Sequence, residues 1–169
     1  MTQTYEPISS PQTVSGSSTN EVTFSGISAS FTDLIVVMNV GATSGSNSGF
    51  GIRFNSDLAT NYSDTRINGD GTSATSARGS TQTRILQASF ALPESASTYS
   101  PVITQIFNYA NTTTFKSTLT RSSNSANNLQ VITGIWRKTP EAITSITFYI
   151  FAGNFSSGST FALYGIKAE

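Results

Sequence analysis

Apolar and polar residues alternate along much of the chain with the period of two that is typical of a β-strand. Across Phe50–Phe54 every second residue is a large apolar one. The segments Leu129–Trp136 and Ile143–Phe151 also alternate, and both of their faces are partly apolar. No window of eleven or more residues shows the i, i+3, i+4, i+7 apolar spacing of an amphipathic helix. The pattern therefore predicts an all-β protein.

About ten strands are predicted, each bounded by Gly, Ser, Asn or Asp. Strands of this length separated by short turns are typical of an antiparallel β-sandwich, and we predict a jelly roll of two four-stranded sheets with extra edge strands. An immunoglobulin-like sandwich is the alternative, although its Cys–Trp–Cys signature is missing. The predicted strands are Val22–Ile27, Leu34–Val40, Phe50–Phe54, Tyr62–Ile67, Arg84–Leu92, Pro101–Tyr109, Phe115–Thr120, Leu129–Trp136, Ile143–Phe151 and Phe161–Ile166.

Residues 1–20 contain Pro7 and Pro11 and are rich in Ser and Thr. We predict that they form an extended N-terminal arm, followed by a single sandwich domain over residues 21–169. Tyr5, Pro7, Ile8 and Pro11 in this arm are candidate interface residues. Segments rich in Ser, Thr, Asn and Gly are interpreted as solvated loops, with a contact surface between subunits as the alternative. These segments are Ser9–Asn20, Thr43–Ser48, Gly69–Thr83, Glu94–Ser100 and Ser122–Asn128.

The composition excludes several kinds of chemistry. The 169 residues include no Cys and no His, so Cys/His metal sites and His- or Cys-containing triads are impossible. Nine basic residues balance nine acidic ones, which argues against nucleic-acid binding. The longest apolar run, Leu34–Met38, is far shorter than the ~18 residues of a membrane span. Residues 1–8 lack the features of a secretion signal, which favours a protein made in the cytoplasm and not secreted.

The remaining polar candidates do not form a recognisable catalytic or metal motif. Asp57, Asp64 and Asp70 are the only concentrated carboxylates, but Arg66 stands at the third ligand position of a calcium loop. A calcium site built from distant loops is the alternative to a simple turn. Trp136 is expected to cover the core or an interface, although it or Tyr99 could stack on a sugar. We therefore predict no enzyme, no cofactor and no metal.

A series of short segments, in a fixed order, carries a resemblance to a known family. Together they span most of the chain, from Val22 to Lys167, and end on Ser-Thr-Phe-Ala-Leu-Tyr-Gly-Ile. The series resembles a family of small virion structural proteins of tailed bacteriophages. The segments of the series are Val22–Phe24, Leu34–Val37, Arg53–Asn55, Asn61–Ser63, Gly69–Gly71, Ile106–Asn111, Gly134–Trp136, Ala142–Ile146 and Phe161–Ile166.

The resemblance implies a β-sandwich or jelly-roll protein present in many copies on the phage virion. The leading expectation is a capsid decoration, or cement, protein that bridges subunits of the major capsid protein, as a homotrimer, with no nucleic acid or membrane as partner. A tail-fibre, baseplate or head-fibre component that binds a host receptor or glycan is the alternative. Asn61, Tyr62 and Trp136 complete the candidate interface residues.

Overall fold

The computed structural model describes residues 4–43, 49–94, 98–124 and 126–167, and these contain thirteen strands and no helix. Parts of the predicted loops Thr43–Ser48, Glu94–Ser100 and Ser122–Asn128 lie outside the described residues. The strands are β1 Tyr5–Pro7, β2 Gln12–Thr13, β3 Glu21–Ser25, β4 Asp33–Val40, β5 Phe50–Phe54, β6 Tyr62–Gly69, β7 Ala74–Gln82, β8 Ile85–Ala88, β9 Ser100–Phe107, β10 Lys116–Ser123, β11 Leu129–Trp136, β12 Ser145–Ile150 and β13 Thr160–Ile166.

The strands form two antiparallel sheets of unequal size, and the prediction of an all-β antiparallel sandwich is confirmed. The larger sheet has nine strands in the order β1-β13-β4-β9-β10-β11-β6-β7, with β2 also paired to β13. The smaller sheet has four strands in the order β3-β12-β5-β8. The expected four-and-four division is replaced by nine and four, because β6, β7, β10 and β11 all extend the same sheet.

The strand pairs are nested along the chain. The first strands, β1 and β2, pair with the last strand, β13, and β3 pairs with β12. Inside these, β4 pairs with β9 and β5 pairs with β8. The hairpins β6–β7 and β10–β11 are inserted between members of this series and are joined to each other by the β6–β11 pair.

Large aromatic side chains fill the space between the two sheets. Phe155 packs edge-on against Phe50 and Phe161, with ring centroids 5.9 Å and 5.2 Å apart. Phe54 of the small sheet contacts Trp136 of the large sheet at 5.6 Å. Edge-to-face and offset ring contacts of this kind contribute about 0.5–1.5 kcal/mol beyond burial of apolar area. The core is therefore complete within one chain.

The prediction of a loop over Gly69–Thr83 is wrong, because Ala74–Gln82 form the strand β7. Every residue of Ala74–Gln82 is exposed or half-buried, because the small sheet does not extend over this end of the large sheet. Neither face of the strand carries a large apolar residue, so the strand leaves no alternation in the sequence. It forms by backbone pairing with β6, from Gly69 opposite Ala74 to Asp64 opposite Gly79.

The described part of the N-terminal segment lies along the edge of the large sheet. Tyr5 pairs with Ile166, and the Ile8 amide donates to the carbonyl of Leu163 at 3.0 Å. Val14 is buried in the core. Residues 4–14 are therefore extended, as expected of an arm, but they are bound to the chain's own last strand. The boundary at residue 20 stays a prediction.

Candidate functional site

The outward side of the large sheet carries an apolar row that crosses five neighbouring strands. Val37 of β4 lies opposite Ile103 of β9, which lies opposite Arg121 of β10. Arg121 lies opposite Val131 of β11, and Val131 opposite Ile67 of β6. We call this side of β4, β9, β10, β11 and β6 the outer face. Four of the five residues in the row are branched aliphatics.

These aliphatic side chains reach solvent. The exposed fractions are 59% for Ile67, 45% for Val131 and 38% for Val37. On the same face of β11, Leu129 is 64% exposed and Ile135 is 39% exposed. Scattered single apolar residues are ordinary on a surface, but a contiguous set is typical of an interaction site. The core gains nothing from this set, because β11 buries its other face through Ile132 and Trp136.

A shallow groove of about 380 Å³ lies on the outer face. Its lining includes Pro101, Ile103, Leu129 and Val131, with the side chain of Arg121 beside them. Arg121 is exposed and has no ion pair or side-chain hydrogen bond among the described residues. A guanidinium retains five donors when it is unpaired, and burying it without an acceptor is costly. The groove therefore suits an apolar group next to a carboxylate.

Local hydrogen bonds set the register that builds this face. The Asn124 side-chain oxygen accepts the amides of Ala126 and Asn128 at 3.0 Å and 2.9 Å, which closes the turn between β10 and β11. At the other end of β11, the Arg137 amide donates to the carbonyl of Asn61 at 2.7 Å. A slip of one residue would turn Val131 inward, because side chains alternate across a strand.

The structure places two candidate interface residues in the core instead of on a surface. Tyr62 is fully buried and Trp136 is 2% exposed, with their rings stacked at 6.2 Å. Their strands bring both side chains to the inner face, opposite Phe54. Neither ring can contact a partner or stack on a sugar in this arrangement. Tyr99, the other ring considered for a sugar, is half-buried and its hydroxyl donates to the carbonyl of Ser157.

A hydrogen-bonded carboxylate holds Trp136 in place. Asp57 Oδ2 accepts Trp136 Nε1 at 2.7 Å and Asn61 Nδ2 at 2.9 Å, while Oδ1 accepts the Ala59 amide at 3.0 Å. Burial raises the pKa of Asp57, but these donors outweigh it, so the pKa lies below its usual value. Asn61, a candidate interface residue, thus has a structural contact inside its own turn.

The candidate residues of the N-terminal segment remain accessible to different degrees. Tyr5 is 56% exposed, and Pro7 and Pro11 are exposed. Ile8 is half-buried and packs against the core. They line the β1 edge of the large sheet, which β13 separates from the apolar row that begins on β4. Sequence reasoning proposed these residues and missed Val37, Ile67, Ile103 and Arg121, although the two apolar faces of β11 were visible in the alternation.

Asp64 is a buried carboxylate with few hydrogen-bond donors around it among the described residues. It is 4% exposed, and its Oδ1 accepts no hydrogen bond among the described residues. Arg66 Nη1 lies 3.9 Å from Oδ1, and the Leu86 amide donates to Oδ2 at a long 3.4 Å. Burial raises the pKa of this carboxyl above its usual value. The described residues contain no group of three or more Asp or Glu that could hold a metal ion.

Comparisons with known proteins add no further assignment. No protein-family model, curated protein or solved structure matches the chain. In the part of the chain that the structure describes, no helix could cross a membrane.

Proposed function

We propose that the protein is a non-enzymatic structural subunit of a bacteriophage virion, and specifically a capsid decoration protein that bridges major capsid subunits. The outer face carries this proposal. Exposed Val37, Ile67 and Val131 line one row of it, while a complete core lies on the opposite side of the same strands. An apolar surface that folding does not require is typical of a surface that another protein covers.

The nested strand pairing supports the same proposal. We infer that the sandwich is a jelly roll, in which β1 and β2, β3, β4 and β5 pair in turn with β13, β12, β9 and β8. The hairpins β6–β7 and β10–β11 are insertions into it, and they supply three of the five strands of the outer face. A jelly roll is what the resemblance to phage virion proteins leads us to expect.

The size of the outer face suits a contact repeated many times. Five strands about 4.8 Å apart and seven residues at about 3.3 Å each cover roughly 550 Å². A stable protein interface buries about 800 Å² on each partner. A contact confined to this face would lie toward the small end of the range for specific interfaces. A subunit that binds the assembled shell at many equivalent positions stabilises it by mass action, even when each contact is weak.

The charge of Arg121 indicates which side chains the partner surface carries. Arg121 lies within the apolar row, between Ile103 and Val131. We expect a shell surface with aliphatic side chains and a carboxylate opposite Arg121, because a charge-assisted bidentate pair is the usual way to bury a guanidinium. The weak overall charge of the chain, nine cations against nine anions, lets copies lie close together with little repulsion.

Immunogold labelling of particles from the phage that encodes the chain tests the location. Label over the icosahedral head is expected. Label confined to the tail would overturn the decoration role in favour of the tail-fibre or baseplate alternative, and a particle without label would overturn the virion role altogether.

Binding to particles that lack the chain tests the surface. We expect Val131→Lys and Arg121→Glu each to reduce co-sedimentation about tenfold or more, since both place an uncompensated charge in the contact. Thr112→Lys, at an exposed loop position, is the control. Circular dichroism verifies that each variant is folded. Unchanged binding of both outer-face variants would refute the assignment of this surface.

A further inference from the structure

The four edges of the two sheets differ greatly in length. The edge strands β1, β3 and β8 have three, five and four residues. The fourth edge strand, β7, has nine residues, and beyond it no further strand pairs among the described residues. An unpaired edge offers a row of backbone donors and acceptors to another chain, and proteins usually shorten such edges or protect them.

β7 carries little of the usual protection, namely one charged residue, Arg78, and a register shift near its end. Its sequence, Ala-Thr-Ser-Ala-Arg-Gly-Ser-Thr-Gln, has no Pro, no Lys and no acidic residue. Apart from Arg78 and Gln82 the side chains are short, so a neighbouring strand could approach with little steric hindrance. The strand irregularity lies only at the end, where the register with β6 shifts and Thr81 has a φ of 55°. Ala74 to Gly79 therefore form a regular edge, which no strand covers in the part of the chain that the structure describes.

We propose that β7 pairs with β7 of a second copy of this chain, in antiparallel register about a twofold axis at Ala77. The axis stands perpendicular to the sheet, so each residue faces one of the same parity on the partner, and the two large sheets become continuous. With the axis at Ala77, residues 74–80 overlap on both strands. An axis at Arg78 would place two guanidinium groups opposite each other, and an axis nearer the end would include Thr81.

In this register, one cross-strand pair is the best place to test the pairing. Arg78 lies opposite Ser76 of the partner subunit, twice in the symmetric dimer. No other charged residue occurs on β7. The dimer also presents two outer faces side by side, which would raise the avidity for a repeating surface without any new contact. That consequence depends on the proposed function, whereas the pairing itself does not.

Sedimentation equilibrium of the full chain over a wide concentration range tests the pairing. We expect a reversible rise in mass from 17.9 kDa toward twice that value. Ser76→Lys faces Arg78 of the partner subunit and is expected to raise the dimer dissociation constant about tenfold or more, because like charges directly opposite destabilise a pair. Ser76→Glu creates opposite charges there and is expected to lower the constant. Thr112→Lys and Thr112→Glu reproduce the net charge elsewhere and should leave it unchanged.

The outcomes distinguish this inference from the proposed function. A monomer at all concentrations would overturn the pairing, as would a trimer or dimer whose constant responds equally to Ser76→Lys and Ser76→Glu. Val131→Lys should leave self-association unchanged while it weakens particle binding. Loss of self-association in Val131→Lys, with no effect of Ser76→Lys, would place the contact on the outer face and refute the edge.

Discussion

Gly134 sets how closely the two sheets approach, and its replacement by Ala gives a sharp test of the packing. It lies on β11, between the exposed Thr133 and Ile135, with its inward side against Ile85 of β8. A Cβ at this position would collide with Ile85 Cγ2 and lie 2.9 Å from both Cγ1 and Cδ1. Ile85 is fully buried, so its side chain cannot move out into solvent.

The expected cost follows from this geometry. Overpacking a close-packed core costs about 1–3 kcal/mol, whereas Gly→Ala stabilises by about 0.4–1 kcal/mol through the unfolded chain where the backbone permits it. We expect Gly134→Ala to lower the free energy of unfolding by about 1–2 kcal/mol. For a domain of this size the melting temperature should fall by roughly 2–4 °C per kcal/mol. Urea unfolding followed by fluorescence and circular dichroism measures both.

Two further variants show whether the cause is the contact with Ile85. Gly69→Ala is the control, because a Cβ there meets nothing within 4 Å, and it should be neutral or slightly stabilising. Ile85→Ala removes the colliding atoms and leaves a cavity, at a cost of about 2–5 kcal/mol. The double variant with Gly134→Ala should be at least about 1 kcal/mol more stable than the sum of the single costs predicts. Strict additivity, or a Gly134→Ala protein as stable as the parent, would refute the reasoning.

Three further predictions concern titration and the outer face. The pKa of Asp57 is lowered, so its stabilisation is complete above the unfolded value of 3.8 and is lost as pH falls through the folded pKa. Acid titration of the unfolding free energy should show this loss, and Asp57→Asn should remove it. The pKa of Asp64 is raised, so its contribution is present below 3.8 and is lost as pH rises through the folded pKa. Asp64→Asn should therefore be more stable than the parent at pH 7 in urea unfolding, and an equal or lower stability would contradict this. Val131→Lys should change the free energy of unfolding by less than about 0.5 kcal/mol. Ile132→Lys, one residue away and fully buried, should prevent folding. Similar thermal melts for the two variants would be inconsistent with the assigned faces of β11.

The ten strands expected from alternation are all present in the structure, although several boundaries move by a few residues. Phe50–Phe54 and Leu129–Trp136 are found with the predicted ends. Alternation marks these strands because the opposite sheet covers one side of each and buries the large apolar side chains on that side. The strand β7 was invisible for the same reason: nothing covers it, so no selection between faces acts on its residues.

The candidate site could be predicted only in part. Two apolar faces on β11 were apparent, but alternation alone does not say which face lies inward. Trp136 was therefore expected to cover the core or an interface, and it is found in the core, while Val131 and Ile135 point outward. The row from Val37 to Ile67 joins residues up to 94 positions apart in the chain, between Val37 and Val131, and only the strand order brings them together.

The amino-acid sequence by itself determined the class of the fold and the chemistry that is absent. A period of two without helical spacing specifies strands, and a chain without Cys and His lacks the side chains for the corresponding metal sites and triads. The tertiary structure alone decided which apolar residues stay outside the core and exposed to solvent. Four strands cannot cover nine, so part of the large sheet is left uncovered by the strands that the structure describes. The outer face exists because the small sheet lies on only one side of the large sheet, and β7 is an edge because it ends the strand order. No local pattern encodes either feature.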